Sequence, residues 1–311
     1  FGIVLILLAS ILFTGGADGL NLQPFTWSQI TSGVPSIAFL FCFAGFIGFE
    51  ATTIYSEEAK DAPITVPKAT YISVLSIGIF YTLTAWLMTM GIGVDKLLPT
   101  LTEMGDPSGF LFMLGETYVG ATFTMIMGIL FMTSIFAAVL AFHNAVARYK
   151  FVAGREGILP DSLGQTHATH QSPHRGSVIQ TIVALDVVSL FLVNGLDPVL
   201  NLFVWMSQMG TLGILGLMAL TSLSVLMFFM KDAMGESVLA TKVLPLITGL
   251  VMGYLFIIIF RDFGALTGTE GNLGWMIPAL VPLFALIGFA LASMLAARDP
   301  ARFKALGNTK A

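Results

Sequence analysis

The sequence predicts an all-α integral membrane protein. Of its 311 residues, 56% are apolar and only 10% are charged, and the mean hydropathy is +0.89. A soluble domain carries about 25% charged residues, and a chain of this length cannot hide such an apolar excess inside one core. Apolar stretches long enough to cross a bilayer recur along the sequence, and the basic residues are concentrated in alternate connections between them. Lipid is therefore the expected solvent for most of the surface.

Seven apolar windows reach the length of about 20 residues that spans the hydrocarbon of a bilayer. They lie at approximately 34–56, 70–93, 118–147, 177–196, 199–230, 243–260 and 275–296. Residues 1–13 are apolar but too few to cross, and we interpret them as the outer half of an eighth span, partial because the amino terminus is truncated. A short interfacial helix is expected around Phe25–Ile30. Residues 1–311 are treated as a single transmembrane domain.

The distribution of lysine and arginine predicts the orientation of these spans. Twelve of the 14 basic residues fall in the carboxyl-terminal tail or in connections that lie on the same side as the tail. The other connections hold only Lys96 and Arg261. Because cytoplasmic loops retain lysine and arginine, the carboxyl terminus is expected in the cytoplasm. Trp27 and Trp275 lie at predicted outer boundaries, where indole rings are favoured.

Several classes of protein are excluded or disfavoured by what the sequence contains. The net charge of −4 offers no basic surface for nucleic acid, and the single cysteine, Cys42, excludes an internal disulfide. Sequence motifs for ATP binding, for a nucleophilic serine and for a zinc protease are absent, so we predict neither an enzyme nor a bound cofactor or metal. His167, His170 and His174 lie close together in a polar loop, which we interpret as solvated.

The 34–56 window contains the most informative residues. Gly45 and Gly48 lie near the middle of the window, and Glu50 follows two residues later. Each glycine weakens a helix by about 1 kcal/mol relative to alanine, and a carboxylate inside the membrane is costly unless it is paired, protonated or near water. One interpretation is a discontinuous helix whose free backbone groups line a cavity. The other is close helix packing through Ala44, Gly45 and Gly48, with Glu50 hydrogen-bonded to a neighbour.

Two stretches resemble one family of transporters. GFIGFEATTIYSEEAKDAPITVPKA, residues 45–69, is similar to the sixth-helix signature of the amino acid permeases of the amino acid, polyamine and organocation superfamily, and NAVARYKFVAGREGILP, residues 144–160, resembles their eighth helix and the loop after it. The resemblance implies a LeuT-type transporter fold of twelve helices. This chain would supply the end of helix five and helices six to twelve, which are the second inverted repeat plus two extra helices, with the first repeat largely missing. The missing amino-terminal helices would then be partners of this chain, because the family binds its substrate between broken helices one and six.

The same resemblance implies a set of binding residues. The unwound stretch of helix six would run from Phe43 to Gly48, and Glu50 would lie just below it as a pairing or proton-linked carboxylate. Substrate-binding residues would be Phe43, Ala44, Gly45, Phe46, Ile47, Gly48 and Glu50. Phe43 and Phe46 are interpreted either as aromatic gates or as ordinary apolar packing.

Two further groups of polar residues are implied to act during transport. Thr133 and Ser134 lie where sodium-coupled relatives of the fold place ion ligands, although helical hydroxyls commonly bond their own backbone carbonyls instead. A cytoplasmic gate would form from Glu57, Glu58, Arg148 and Arg155, with a solvated charged loop as the alternative.

The function that these residues predict is secondary active transport of amino acids by alternating access, coupled to H⁺ or Na⁺ or working by exchange. The alternatives are a polyamine or other organic-amine carrier of the same superfamily and, from another class, a membrane sensor or binding remnant without transport. The expected location is the cell membrane. Gly249 and Gly253 form a G-x-x-x-G pair that suits helix packing or a homodimer. Asp186 lies at mid-depth in its window, and no role is predicted for it.

Overall fold

The computed structural model describes residues 2–33, 35–54, 56, 59–105, 107–231, 235–269 and 271–307, without the side chains of residues 35–37 and 231. All regular secondary structure in these ranges is helical, and none of the described residues lies in a strand. The predicted all-α class is therefore confirmed.

The helices follow one another with short connections. In chain order they are α1 (Gly2–Thr14), α2 (Trp27–Ile30), α3 (Pro35–Phe46), α4 (Ala51–Ile54), α5 (Ala62–Ile92), α6 (Val94–Met104), α7 (Phe110–Tyr118), α8 (Ala121–Arg155), α9 (His174–Val193), α10 (Val204–Lys231), α11 (Leu244–Thr267), α12 (Leu273–Arg298) and α13 (Pro300–Lys304). Within the described residues, six helices are long and apolar enough to cross a membrane, namely α5 and α8 to α12. Between 6% and 17% of the apolar windows of these helices is buried, so most of their apolar surface is left for lipid or other helices.

The helices differ from the seven predicted spans in three ways. The 34–56 window is divided into the shorter helices α3 and α4. Helix α8 continues beyond its apolar window through the basic residues Arg148, Lys150 and Arg155, because hydrogen bonding along a helix does not stop where hydropathy falls. The short helices α6 and α7 occupy the connection between α5 and α8, where no helix was predicted.

The chain forms two units, and the first consists of Phe1–Val34 and Phe49–Asn144. Its core is formed by α1, α5 and α7, where Leu7 and Ile11 are fully buried against Leu87 and Leu114. Two side chains connect separate segments of this unit: the Trp86 indole donates to Asn21 O at 2.8 Å, and the Tyr118 hydroxyl donates to Gly91 O at 2.7 Å. Burial, and to a lesser extent the Asp18 carboxylate, raises the pKa of Tyr118 above its usual value.

The second unit consists of Pro35–Gly48 and Ala145–Ala311. Its first apolar cluster joins α3, α10 and α11 through Leu40, Leu212, Leu215, Ile259 and Leu266. Its second cluster joins α9, α10, α11 and α12 through Phe191, Trp205, Phe263 and Ile277. The Trp205 indole donates to Thr267 O at 3.2 Å and so attaches α10 to the end of α11. A Cβ on Gly249 would approach Leu223 of α10 at 3.2 Å, so this glycine permits helix packing inside the chain.

Candidate functional site

The apolar segment from residue 35 to residue 54 is interrupted near its centre. Helix α3 ends at Phe46, residues 47–50 form a turn, and α4 begins at Ala51. Gly48 has a φ of +110°, a backbone conformation that side chains with a Cβ rarely adopt. The carbonyl oxygen of Glu50 accepts from Thr53 N at 2.9 Å and begins the next helical turn. The segment therefore has the two-piece form expected of a discontinuous helix.

The interruption begins later than predicted. The family resemblance implied an unwound stretch from Phe43 to Gly48, whereas Phe43 to Phe46 are helical and the turn covers residues 47–50. The physical reason is packing, since Leu40 is fully buried in the cluster with α10 and α11 and Phe43 packs against the same cluster. The helix is therefore stabilised up to Phe46 and stops only where Gly48 requires a positive φ.

The predicted binding residues are divided by this geometry. Phe43, Ala44, Gly45 and Phe46 belong to α3, while Ile47, Gly48 and Glu50 lie in the turn, and all seven are partly exposed. A Cβ on Gly48 would meet no atom of the described residues within 4 Å, so close helix packing does not explain this glycine. Phe43 packs against the apolar cluster of the second unit, and its role as an aromatic gate stays a prediction.

The turn is followed by the short helix α4, which is hydrogen-bonded to α5. In the first unit, the hydroxyl groups of Thr52 and Thr70 lie 2.7 Å apart and share a hydrogen bond that attaches α4 to α5. The Thr53 hydroxyl donates to the Glu50 carbonyl oxygen at 2.6 Å. Glu50 thus sits at the start of a helix whose position is fixed by α5.

The two predicted ion ligands lie on the surface of α8. Thr133 and Ser134 are both exposed in this chain. The Thr133 hydroxyl donates to Leu130 O at 2.8 Å, which is a bond to the backbone of its own helix. The contacts of Thr133 thus match the alternative interpretation, and a role in ion binding stays a prediction.

Of the predicted cytoplasmic gate, Glu57 and Glu58 lie outside the described residues. Arg148 and Arg155 lie in the last turns of α8, and the guanidinium carbon of Arg155 lies 5.5 Å from the centroid of the Phe151 ring, within the range of a cation–π contact.

Arg302, which the sequence did not indicate as a functional residue, is hydrogen-bonded to the carboxyl end of α8. One guanidinium nitrogen of Arg302 lies 2.8 Å from Arg155 O and 2.7 Å from Asp161 Oδ1, and it donates to both. The backbone N–H of Gly307 donates to Glu156 Oε1 at 2.8 Å. The segment after α12 is therefore bonded to the carboxyl end of α8, where a cation is favoured by the helix dipole. In the sequence, the indication of this contact is the basic character of the carboxyl-terminal tail. The cytoplasmic orientation of the tail accounts for that character equally well.

The chain after α8 turns back closely against the end of that helix. A Cβ on Gly154 would lie 2.6 Å from Gly164 N, and a Cβ on Gly164 would lie 2.5 Å from Arg155 N. Both distances involve backbone atoms and are shorter than real Cβ atoms show. The crossing of these two segments therefore depends on glycine at both positions.

The three loop histidines are neighbours in the structure. The His167 ring stacks on the His170 ring at 4.9 Å and meets the His174 ring edge-on at 5.1 Å. His167 Nδ1 accepts from the backbone N–H groups of Thr169 and His170, which fixes the turn. No group of three or more histidine, cysteine or acidic residues in the described ranges is arranged to hold a metal ion.

Three bacterial proteins match parts of this chain at modest identity. A low-affinity putrescine importer of Escherichia coli is 28% identical over 181 residues, which are 55% of this chain and 37% of the importer. A branched-chain amino acid permease of Bacillus subtilis is 29% identical over 182 residues, 55% of this chain and 36% of the permease. A methylthioribose transporter of Bacillus subtilis is 27% identical over 203 residues, 64% of this chain and 41% of the transporter.

The matched region of the chain thus spans about two fifths of the length of these relatives. No solved structure matches the chain. The sequence profile of the amino acid permeases matches residues 1–287, which include every membrane-length helix described above apart from the end of α12. Six long apolar helices and a match over nearly the whole sequence lead to one conclusion: the chain is a multi-pass membrane protein that belongs to the amino acid permease family.

Proposed function

We propose that the protein containing this chain is a secondary active transporter of amino acids that works by alternating access in the cell membrane. The observation that carries this proposal is the interruption at residues 47–50, with Gly48 at a φ of +110° and Glu50 beside it in an apolar segment. A helix broken inside a membrane leaves backbone groups that a polar substrate can bind. The relatives, which include a branched-chain amino acid permease, support the same function.

The side chains at the interruption have separate roles in this proposal. The backbone groups left free at the end of α3 and in the turn that follows it bind the ammonium group and side chain of the substrate, with Phe43 and Phe46 beside them. Glu50 is the carboxylate that couples transport to H⁺, while a sodium-coupled cycle would use Thr133 and Ser134. Exchange is the third form of coupling. No catalysis and no bound cofactor are part of this mechanism.

A carrier of polyamines or other organic amines is the second candidate. Its support is the putrescine importer among the relatives together with the carboxylate of Glu50, since a negative charge near the substrate favours a cation.

The proposal includes the partners and the orientation of the protein. The amino-terminal helices of the family complete the binding site, and the carboxyl terminus lies in the cytoplasm with Arg148 and Arg155 at the cytoplasmic gate. Gly249 packs against α10, whereas a Cβ at Gly253 would meet no atom of the described residues within 4 Å. A homodimer would therefore form through the side of α11 that carries Gly253.

Uptake by cells that express the complete protein tests the function. Labelled leucine, putrescine and methylthioribose are compared at two pH values, with and without sodium. We expect saturable uptake of one of these classes, and the dependence on pH or sodium identifies the coupling ion. Glu50→Gln is expected to lower uptake by about tenfold, while the exposed control Glu103→Gln leaves it unchanged.

Two outcomes would contradict parts of this proposal. If folded and inserted protein takes up none of the compounds, a sensor or binding protein becomes the better explanation. If uptake occurs and both variants behave like the wild type, transport stands but Glu50 is removed from the pathway.

A further inference from the structure

A buried glutamine in α10 lacks a partner for one of its polar atoms. Gln208 is 2% exposed, and its Oε1 has no hydrogen-bond partner among the described residues. Thr211, which is also buried in α10, differs because its hydroxyl donates to Ser207 O at 2.8 Å. Buried polar atoms in native proteins are nearly always hydrogen-bonded, because burial without a partner is costly.

The position of Gln208 shows what surrounds this atom. Trp205, one turn earlier on the same face of α10, belongs to the apolar cluster with Phe263 of α11. Leu212, one turn later, belongs to the cluster with Leu40 of α3 and Ile259 of α11. Gln208 therefore lies between two apolar clusters of the second unit, at the level where α10 packs along α11.

Apolar side chains on both sides cannot satisfy an amide oxygen. Ile259 and Phe263, one turn apart on α11, are apolar and fully buried. The Thr267 hydroxyl, one turn further along α11, donates to Phe263 O at 2.7 Å. The missing partner must then be a donor that does not belong to the described side chains. Internal waters perform this function in folded proteins at a frequency of about one per 27 residues.

We propose that Gln208 Oε1 binds a small hydrogen-bond donor, with an O–H or N–H group, in the interior of the second unit between the two clusters. A water molecule and the ammonium group of an amine substrate share this chemistry. Either one would place a polar contact between the two apolar clusters that α10 shares with its neighbours. Leu212, one turn from Gln208, packs in the cluster that contains Leu40 of α3, the helix that ends at the interruption.

The melting temperature of the purified complete protein tests this site without any measurement of transport. Gln208→Met keeps a similar side-chain length and removes the acceptor. If a donor is bound, this variant loses the interaction and melts about 2–4 °C lower than the wild type. The control Gln165→Met replaces an exposed glutamine and leaves the melting temperature unchanged.

An unchanged or higher melting temperature of Gln208→Met would overturn the proposal, since replacing a buried acceptor that has no partner by an apolar group is neutral or stabilising. Gln208→Glu provides a second test in case the methionine variant folds poorly. A buried carboxyl group that is protonated at acidic pH retains a carbonyl oxygen, whereas its ionised form is disfavoured by burial. We expect this variant to melt near the wild type at pH 5 and several degrees lower at pH 8; failure to melt above Gln208→Met at pH 5 would count against the site.

The two sources of the donor are distinguished by adding leucine or putrescine. If an amine raises the melting temperature of the wild type but not that of Gln208→Met, the donor is the ammonium group of the substrate. If both proteins respond equally, or neither responds, and the methionine variant still melts lower, the donor is water.

Discussion

At the scale of single residues, the backbone of Gly48 decides where the broken segment is interrupted. Its φ of +110° is rare for any residue with a side chain, although a Cβ there would have open space among the described residues. The requirement for glycine is therefore conformational and does not come from packing.

Gly48→Ala is expected to lower the free energy of unfolding by about 1–3 kcal/mol, because alanine must adopt a strained backbone. Gly210→Ala is the matched control, since Gly210 lies inside α10 and a Cβ added there would also meet no atom in the described part of the chain within 4 Å. This second change is expected to stabilise by about 0.5–1 kcal/mol, as alanine favours a helix. Denaturant unfolding in detergent measures both changes in the free energy of unfolding. If Gly48→Ala stabilises the protein as Gly210→Ala does, Gly48 is an ordinary helical glycine.

The sequence contained the signal for Gly48 but not for its neighbours. A glycine pair followed by a carboxylate predicted a break, yet only the packing of Leu40 and Phe43 determines that α3 continues to Phe46. Gln208 offered no signal, because a single polar residue inside an apolar window is uninformative until the partners of its side chain are known. Such partners come from other helices, which a pattern along one helix cannot reveal.

At the scale of elements, α13 and the residues after it are bonded to α8 by Arg302. Asp161 is 74% exposed, so its ion pair with Arg302 contributes little. The bond from Arg302 to the Arg155 carbonyl oxygen at 2.8 Å is the stronger contribution, since it satisfies a carbonyl at a helix end with a charged donor.

Arg302→Ala is expected to release this attachment, with about tenfold faster amide hydrogen exchange over residues 299–307. Arg298→Ala is the control, because Arg298 is an exposed arginine of the same region at the end of α12. Hydrogen exchange read by mass spectrometry compares the two. Equal exchange rates in both variants would mean that Arg302 does not hold the segment.

The elements were predictable where hydropathy alone determines them. Windows of about 20 apolar residues indicated the long helices, because a helix of that length crosses the hydrocarbon and satisfies its backbone groups within its own segment. Helices α6 and α7 were not predicted, since α6 combines Lys96 and Glu103 with apolar residues and contains Pro99. Such short helices depend on their neighbours, as α7 does on the contacts of Phe110 and Leu114 with α1 and α5.

At the scale of the whole molecule, the orientation in the membrane is a prediction from the basic residues. Cys42 is exposed and is the single cysteine, so Cys42→Ser provides a background for introduced cysteines. In that background, Gln165→Cys between α8 and α9 is expected to react with a membrane-impermeant maleimide only after the cells are permeabilised. Glu103→Cys in α6 is expected to react in intact cells, because it lies on the opposite side. The reverse pattern would overturn the proposed orientation.

The family was predictable from two short motifs, and the sequence profile confirms it. Residues 45–69 and 144–160 carry the resemblance, and both stretches combine glycine, charged residues and proline. The substrate could not be predicted, since the relatives named for putrescine, branched-chain amino acids and methylthioribose have nearly the same identity to this chain.

The close crossing of Gly154 and Gly164 limits how this part of the protein can evolve. Each position lacks room for a Cβ because backbone atoms of the other segment lie within 2.6 Å of where it would be. Backbone cannot be made smaller, so a substitution at one glycine has no compensating substitution at the other. In a library that randomises both codons, selection for folded protein would return glycine at the two positions together, and the segment between them would vary only if its length preserved their approach.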